Sequence, residues 1–215
     1  MVRNANANVD QKLSLYIKFL KERLFFEPLS ATFHYNLALA YSQRGLVDEA
    51  ISEFKQALDC DPNLAQAYVN LGGLSFRKGE VDQCIEANLK AIALDPNLPM
   101  AHSNLGLAYL TRGDYQEAIA CSERAIGIEP NLIQAHNNLA LAYLQAGQIE
   151  ASIAASRKVL SLNENFASAH YNLSVALQMT GKMEEAREHF ERAKLLGYPI
   201  EEPTESQVSE TPERH

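Results

Sequence analysis

The chain repeats itself every 34 residues. Gly45, Gly79, Gly113, Gly147 and Gly181 keep that interval, and so do Leu37, Leu71, Leu105, Leu139 and Leu173. Pro28, Pro62, Pro96 and Pro130 hold it too. A fixed period of roughly 20–50 residues marks a stack of one supersecondary unit. Five units fit without a gap, at 31–64, 65–98, 99–132, 133–166 and 167–200, and positions within each are numbered 1 to 34. Each unit has only its neighbours against which to bury its apolar face, so the units must stack.

Each unit reads as two helices. The first spans positions 1 to 14 and ends at the glycine of position 15, where a left-handed residue stops a helix cheaply. The second opens with turn chemistry: in GDYQEA, Asp114 is placed to cap and Glu117 to reach back. It stops before DP or EP, since the residue ahead of proline is pushed out of helical space. Asn63, Asn97, Asn131 and Asn165 are the expected caps of the helices that follow. Small residues recur at position 8 (Ala38, Gly72, Gly106, Ala140, Ser174), at position 20 (Ala50, Cys84, Ala118, Ser152, Ala186) and at position 27 (Ala57, Ala91, Ala125, Val159, Ala193). They mark close helix crossings, and Cys84 serves there as a small apolar side chain.

These residues resemble the tetratricopeptide repeat family. Its motif has L-[GA]-x-A-Y at positions 7 to 11, Gly at 15, Ala at 20 and 27, and Pro at 32. The stretch NLGLAYLTRGDYQEAIACSERAIGIEP carries nearly all of it. Position 4, often tryptophan in the family, is His34, Tyr68, His102, His136 and His170. Unit four has Ser152, Val159 and Glu164 where Ala, Ala and Pro are usual. The resemblance implies an all-α fold: a right-handed superhelical solenoid of antiparallel helix pairs, whose first helices line a concave face. Residues 10–26 align with the second helix of a unit ending at Pro28, so 10–30 is expected as a capping half repeat. Residues 1–9 and the acidic, proline-containing tail 201–215 are expected to be disordered.

Through positions 1–13 of all five first helices, Arg77 is the single Lys, Arg, Asp or Glu. The implied groove is therefore neutral. Its chemistry lies at position 6, which holds Asn36, Asn70, Asn104, Asn138 and Asn172. Asparagine is worse than alanine in a helix by up to ~0.7 kcal/mol, so something offsets five of them. A carboxamide offers an acceptor and two donors. A ladder step of ~10 Å matches about three extended residues at ~3.3 Å each. A similar asparagine ladder occurs in the repeats of the enzyme that transfers N-acetylglucosamine to Ser and Thr, and that resemblance implies peptide binding, not transfer. The residues leave two readings open: the asparagines grip the main chain of a ligand, or they bond to the neighbouring repeat. Rows 9 and 12 flank the ladder and add Leu107, Leu110, Leu141, Leu144 and Phe76 to the candidate peptide-binding set, together with Arg77. Chaperone-binding members hold a terminal carboxylate with basic residues at positions 2, 5 and 6. None stands there in this chain.

Other functions are marked down by composition. The net charge of −8 argues against nucleic acid and against an anionic membrane surface. The first twelve residues show no apolar core of a secretory signal. Cys60, Cys84 and Cys121 form no CxxC pattern, so no disulfide framework or zinc site is expected and the cytoplasm is the default compartment. Histidines one repeat apart cannot converge on one metal, whose ligands sit ~2 Å from it. With no phosphate loop and no Ser/His/Asp set, neither a cofactor nor an enzyme is expected. Leu13, Tyr16, Ile17, Leu20 and Leu24 form one stripe, which pads the first unit. Leu15, Phe19 and Phe26 form a second, which points to self-association. The reading is a non-enzymatic adaptor or scaffold that holds an extended segment or amphipathic helix of a partner protein in its groove. The alternatives are a homo-oligomeric scaffold assembled through the N-terminal helix, and an accessory subunit of an enzyme complex.

Overall fold

The computed structural model describes residues 2–199. Among these there are eleven helices and no strand: α1 (Val2–Phe26), α2 (Ala31–Gln43), α3 (Val47–Cys60), α4 (Ala65–Arg77), α5 (Val81–Leu94), α6 (Pro99–Arg112), α7 (Tyr115–Ile128), α8 (Ile133–Gln145), α9 (Ile149–Leu162), α10 (Ala167–Met179) and α11 (Met183–Leu195). The helices from α2 on pair as five hairpins stacked into a solenoid. Even-numbered helices are the first of each unit and odd-numbered ones the second. α1 packs on α2 as a second-type helix without a partner of its own. It starts at Val2, so residues 2–9, expected to be disordered, are helical. That stretch contains neither Gly nor Pro, and extending an anchored helix adds one hydrogen bond per residue fixed. The tail at 201–215 lies outside the described residues.

The hairpins turn where the repeat pattern indicates. The glycines of position 15 all have positive φ, from +74° at Gly45 to +89° at Gly113. The following turn differs from expectation. The helix caps are Leu64, Leu98, Leu132 and Phe166, none with a side-chain cap bond, rather than the asparagines beside them. The residue before the proline position shapes the turn instead. Asp61 Oδ1 accepts from the Asn63 N–H (3.0 Å), Asp95 Oδ1 from Asn97 (2.9 Å) and Asn163 Oδ1 from Asn165 (3.0 Å). These are Asx turns. Asp114 likewise caps α7 without a side-chain bond, because its carboxylate is engaged by Arg112.

The core follows the repeat. Leu37, Leu105 and Leu173 are fully buried, as are Phe54 and Val159. Position 8 faces position 24 across the second and third hairpins. A Cβ at Gly72 would lie 2.2 Å from Asn88 Nδ2, and one at Gly106 would lie 2.6 Å from Ser122 Oγ. These two glycines make room for polar side chains that are themselves wholly buried. In unit four Ser152 and Val159 are buried, and the Ser152 hydroxyl donates to the Ala140 carbonyl at 2.8 Å. The position-4 histidines hook successive units together. Their Nε2 atoms reach the carbonyls of Pro28, Pro96, Pro130 and Glu164, at 2.9 to 3.0 Å. Tryptophan could make only one such bond and no second, whereas His34 also meets Glu53 (2.6 Å) and His170 meets His189 (2.8 Å) through Nδ1.

Candidate functional site

The five position-6 asparagines stand on successive first helices, α2 to α10. Four of them reach back one repeat. Asn70 Nδ2 donates to the Tyr35 hydroxyl (3.1 Å), and Asn138 Nδ2 to the Ser103 carbonyl (3.0 Å) and hydroxyl (3.4 Å). Asn104 Nδ2 donates to the Val69 carbonyl (3.4 Å) and to Asn88 Oδ1 (3.3 Å), and Asn172 Nδ2 to Asn137 Oδ1 (3.4 Å). The acceptors all belong to position 5 of the preceding unit, apart from Asn88. Asn36 makes no such bond among the described residues, because the helix ahead of it, α1, is of the second type and offers no position 5. From Asn70 on, amide donors are thus used inside the solenoid. The Oδ1 atoms of all five asparagines accept no hydrogen bond among the described residues.

Two clefts open on the first helices. One, of about 180 Å³, is lined by Leu107, Leu110, Thr111, Tyr115, Leu141 and Gln145. It gathers three of the apolar residues read from rows 9 and 12, although Leu110 is only 9% exposed and serves the core as well. Phe76 and Leu144 line neither cleft. Phe76 packs into the cluster of Cys84, Ile85 and Leu105, and Leu144 into that of Ile153, Leu173 and Leu177, each cluster joining its own hairpin to the following unit. The second cleft, of about 280 Å³, brings together Leu39, Ser42, Gln66, Asn70, Gly73, Arg77, Met100 and Asn104. Of these, Ser42, Gln66, Gly73 and Met100 were not singled out by the sequence. The signal that could have found the cleft is at position 9, where Gly73 interrupts Leu39, Leu107, Leu141 and Val175. A third cleft, about 500 Å³, lies between α3, α4 and α5, with Lys55, Asp59, Glu86 and Lys90 around Tyr68 and Leu71.

The N-terminal helix presents two apolar faces. Leu13, Ile17, Leu20 and Leu24 pack into the first unit. Leu15 (61% exposed), Phe19 (50%) and Phe26 (74%) lie on the open side. Tyr16, expected in the packing stripe, is 44% exposed, since it falls about 100° round the helix from Ile17. Phe25 and Leu29 are exposed as well.

Little here resembles reactive chemistry. Burial pushes the Cys84 and Cys121 thiols up to about 11, well away from the thiolate that a nucleophile requires. Among the described residues, no group of three His, Cys, Asp or Glu is placed to hold a metal ion. None of their helices is long and apolar enough to cross a membrane.

Comparison with known proteins agrees with this architecture. A family model described as TPR repeat matches residues 40–79, 74–113 and 108–147, and one described as Tetratricopeptide repeat matches 137–197. No curated protein sequence matches the chain. Among solved structures, MamA is 28% identical with a TM-score of 0.66, over 74% of this chain and 94% of that one. YrrB, described as a TPR protein with an unusual peptide-binding site, is 18% identical with a TM-score of 0.67, over 83% of this chain and 92% of that one. In the APC/C hetero-tetramer Cut9–Hcn1, the matched chain is 20% identical with a TM-score of 0.76, over 88% of this chain and 38% of that longer one.

Proposed function

The chain belongs to the tetratricopeptide repeat family, and from that premise we propose that it is a non-enzymatic protein-interaction scaffold that holds a segment of a partner protein along its first helices. The observation that carries this reading is the row of asparagine Oδ1 atoms that accept no hydrogen bond among the described residues, half-buried at Asn36, Asn70 and Asn104 and buried at Asn138 and Asn172, next to two clefts on the same helices. An extended peptide supplies what the row lacks, one main-chain N–H per residue. From Asn70 on, an amide N–H is bonded to the preceding repeat, which holds the carboxamide in place and leaves the oxygens of the half-buried Asn70 and Asn104 for the ligand. The small clefts suit single side chains rather than a small molecule, which usually needs about 300–1,000 Å³. The printed description of YrrB, a peptide-binding relative of the same fold, is in keeping with this.

The test uses Asn36 and Asn70, the asparagines least needed by the fold. Peptides selected from a displayed random library on the full chain are titrated by fluorescence anisotropy against wild type and an Asn36→Ala, Asn70→Ala variant of unchanged helicity. A loss of about tenfold in affinity is expected, equivalent to ~1.4 kcal/mol. Equal affinity would remove the asparagines from the site, and failure to select any peptide would remove the groove.

The exposed Leu15, Phe19 and Phe26 support a second reading, self-association through α1. Light scattering across a concentration series reads it directly. The mass of the wild-type chain should rise, and that of a Leu15→Asp, Phe19→Asp variant should stay monomeric. A wild type that stays monomeric throughout would dismiss this second reading.

A further inference from the structure

We propose that the cleft at Gly73 is a specificity site, which accepts the carboxylate of an Asp or Glu side chain in the bound segment and pairs it with Arg77. The inference rests on the groove reading above and adds the chemistry of the partner.

Gly73 lies inside helix α4, where glycine costs up to ~1 kcal/mol relative to alanine. Packing does not demand it. A Cβ there would meet only Asn104 Nδ2, at 3.7 Å, an ordinary contact. This sets it apart from its neighbour Gly72, where a Cβ would collide with Asn88 at 2.2 Å. The missing side chain opens the wall instead of relieving a crowded one, and it does so in the row that is otherwise apolar.

Arg77 stands four residues on, over the same face of the helix. It is the only charged residue at positions 1–13 of the five first helices. It forms no ion pair among the described residues, whereas Lys78 beside it is held by Asp48 (2.8 Å) and Glu80 (3.2 Å). Arg112, the equivalent of Lys78 one repeat on, is held by Asp82 and Asp114. Lys78 and Arg112 are therefore tied down, whereas Arg77 is left to the groove. Leu39, Leu74 and Met100 form apolar walls that lower the local hydration of an incoming charge. Asn104 has both its N–H groups engaged, to Val69 and Asn88, and so presents only an acceptor. The donors open to an anion are the Arg77 guanidinium, the second N–H of Asn70, the Gln66 amide and the Ser42 hydroxyl, of which only Arg77 carries charge. A guanidinium fits a carboxylate with two parallel hydrogen bonds. One cation balances one carboxylate.

The geometry also sets a spacing. Leu107, at the mouth of the apolar cleft, is the residue one repeat beyond Gly73. A repeat step of ~10 Å corresponds to about three extended residues. The fitting ligand is an extended segment with an acidic side chain and, about three residues away, an apolar one.

The same displayed-peptide selection tests this. The peptides selected on wild type should share an acidic residue, with an apolar residue about three positions off. Changing that acid to its amide in a synthetic peptide should weaken binding by about tenfold on wild type, as for a charge-assisted hydrogen bond. It should have no effect on Arg77→Gln. Gly73→Leu, which keeps the helix, should erase the acidic preference by filling the cleft. Peptides that bind through the groove but show no acidic position, or lose nothing on Arg77→Gln, would overturn the carboxylate site alone. A selection that returns no peptide would overturn the groove reading and this inference with it.

Discussion

Asn138 on α8 donates its amide to the carbonyl of Ser103 on α6, 3.0 Å away and one repeat earlier. A second contact reaches the Ser103 hydroxyl at 3.4 Å. This bond offsets the poor helix propensity of asparagine in a way that alanine could not, since it gives a helical carbonyl a second donor at a buried crossing. The ladder begins one step late, because Asn36 has no counterpart ahead of it to bond.

Asn138→Ala and Asn36→Ala should therefore part company. Losing the Asn138 bond at a buried site should cost about 1 kcal/mol net. Asn36→Ala gives up no bond and gains helix propensity, so it should be neutral or stabilising by up to ~0.7 kcal/mol. Urea denaturation followed by circular dichroism separates the two. Equal midpoints would mean that the ladder does not hold the units together.

Two glycines make a second contrast. Gly72→Ala puts a Cβ against Asn88 Nδ2 and 3.2 Å from the Cys84 carbonyl, and overpacking of this kind costs about 1–3 kcal/mol. Gly127, near the end of α7, has nothing within 4 Å of where its Cβ would be. Gly127→Ala should stabilise by up to ~1 kcal/mol. Melting temperatures of the two variants should move in opposite directions.

Buried serines give a third. The hydroxyls of Ser122 and Ser156 have no hydrogen-bond partner among the described residues, and an unmet buried hydroxyl costs about 1–3 kcal/mol. Ser156→Ala should raise stability. Ser152→Ala should lower it by about 1 kcal/mol, since its hydroxyl serves the Ala140 carbonyl. A stabilised Ser152→Ala would contradict the assignment.

Acid should loosen the last hairpin. His170 Nε2 is directed at the Glu164 carbonyl, so the neutral ring offers its Nδ1 lone pair to His189 Nδ1, 2.8 Å away. Burial, and then His170, hold the His189 imidazole below its usual value of 6.5; Glu185 and Glu188 oppose the shift, and Arg157 adds to it. The folded chain then binds fewer protons than the unfolded one below about pH 6.5, so stability is full above that pH and falls as the pH drops through it. A His189→Gln variant should show a flatter profile between about pH 5 and 7. An unchanged slope would place the acid sensitivity elsewhere.

The helices were legible in the sequence almost to the residue. A glycine at position 15 stops a helix by turning left-handed, and the residue before proline is pushed out of helical space, so the ends of α4 and α5 are written locally. The direction of the Asn104 or Asn138 bond was not legible, because it depends on where the neighbouring helix places its position 5. The candidate site was half legible for a similar reason. Leu107, Leu110 and Leu141 do meet in one cleft, but the stacking takes Phe76 and Leu144 into the clusters that join their hairpins to the next unit. The cap asparagines were misassigned because Asp61, Asp95 and Asn163 compete for the same turn through a shorter ring.

The asparagine bonds and the histidine hooks share one orientation. In each, the donor belongs to the later unit and the acceptor to an earlier one. A ribosome delivers the acceptor first. Each hairpin leaving the exit tunnel finds its docking carbonyl already formed and waits for nothing downstream, so the rod can be laid down joint by joint in the order of its own translation.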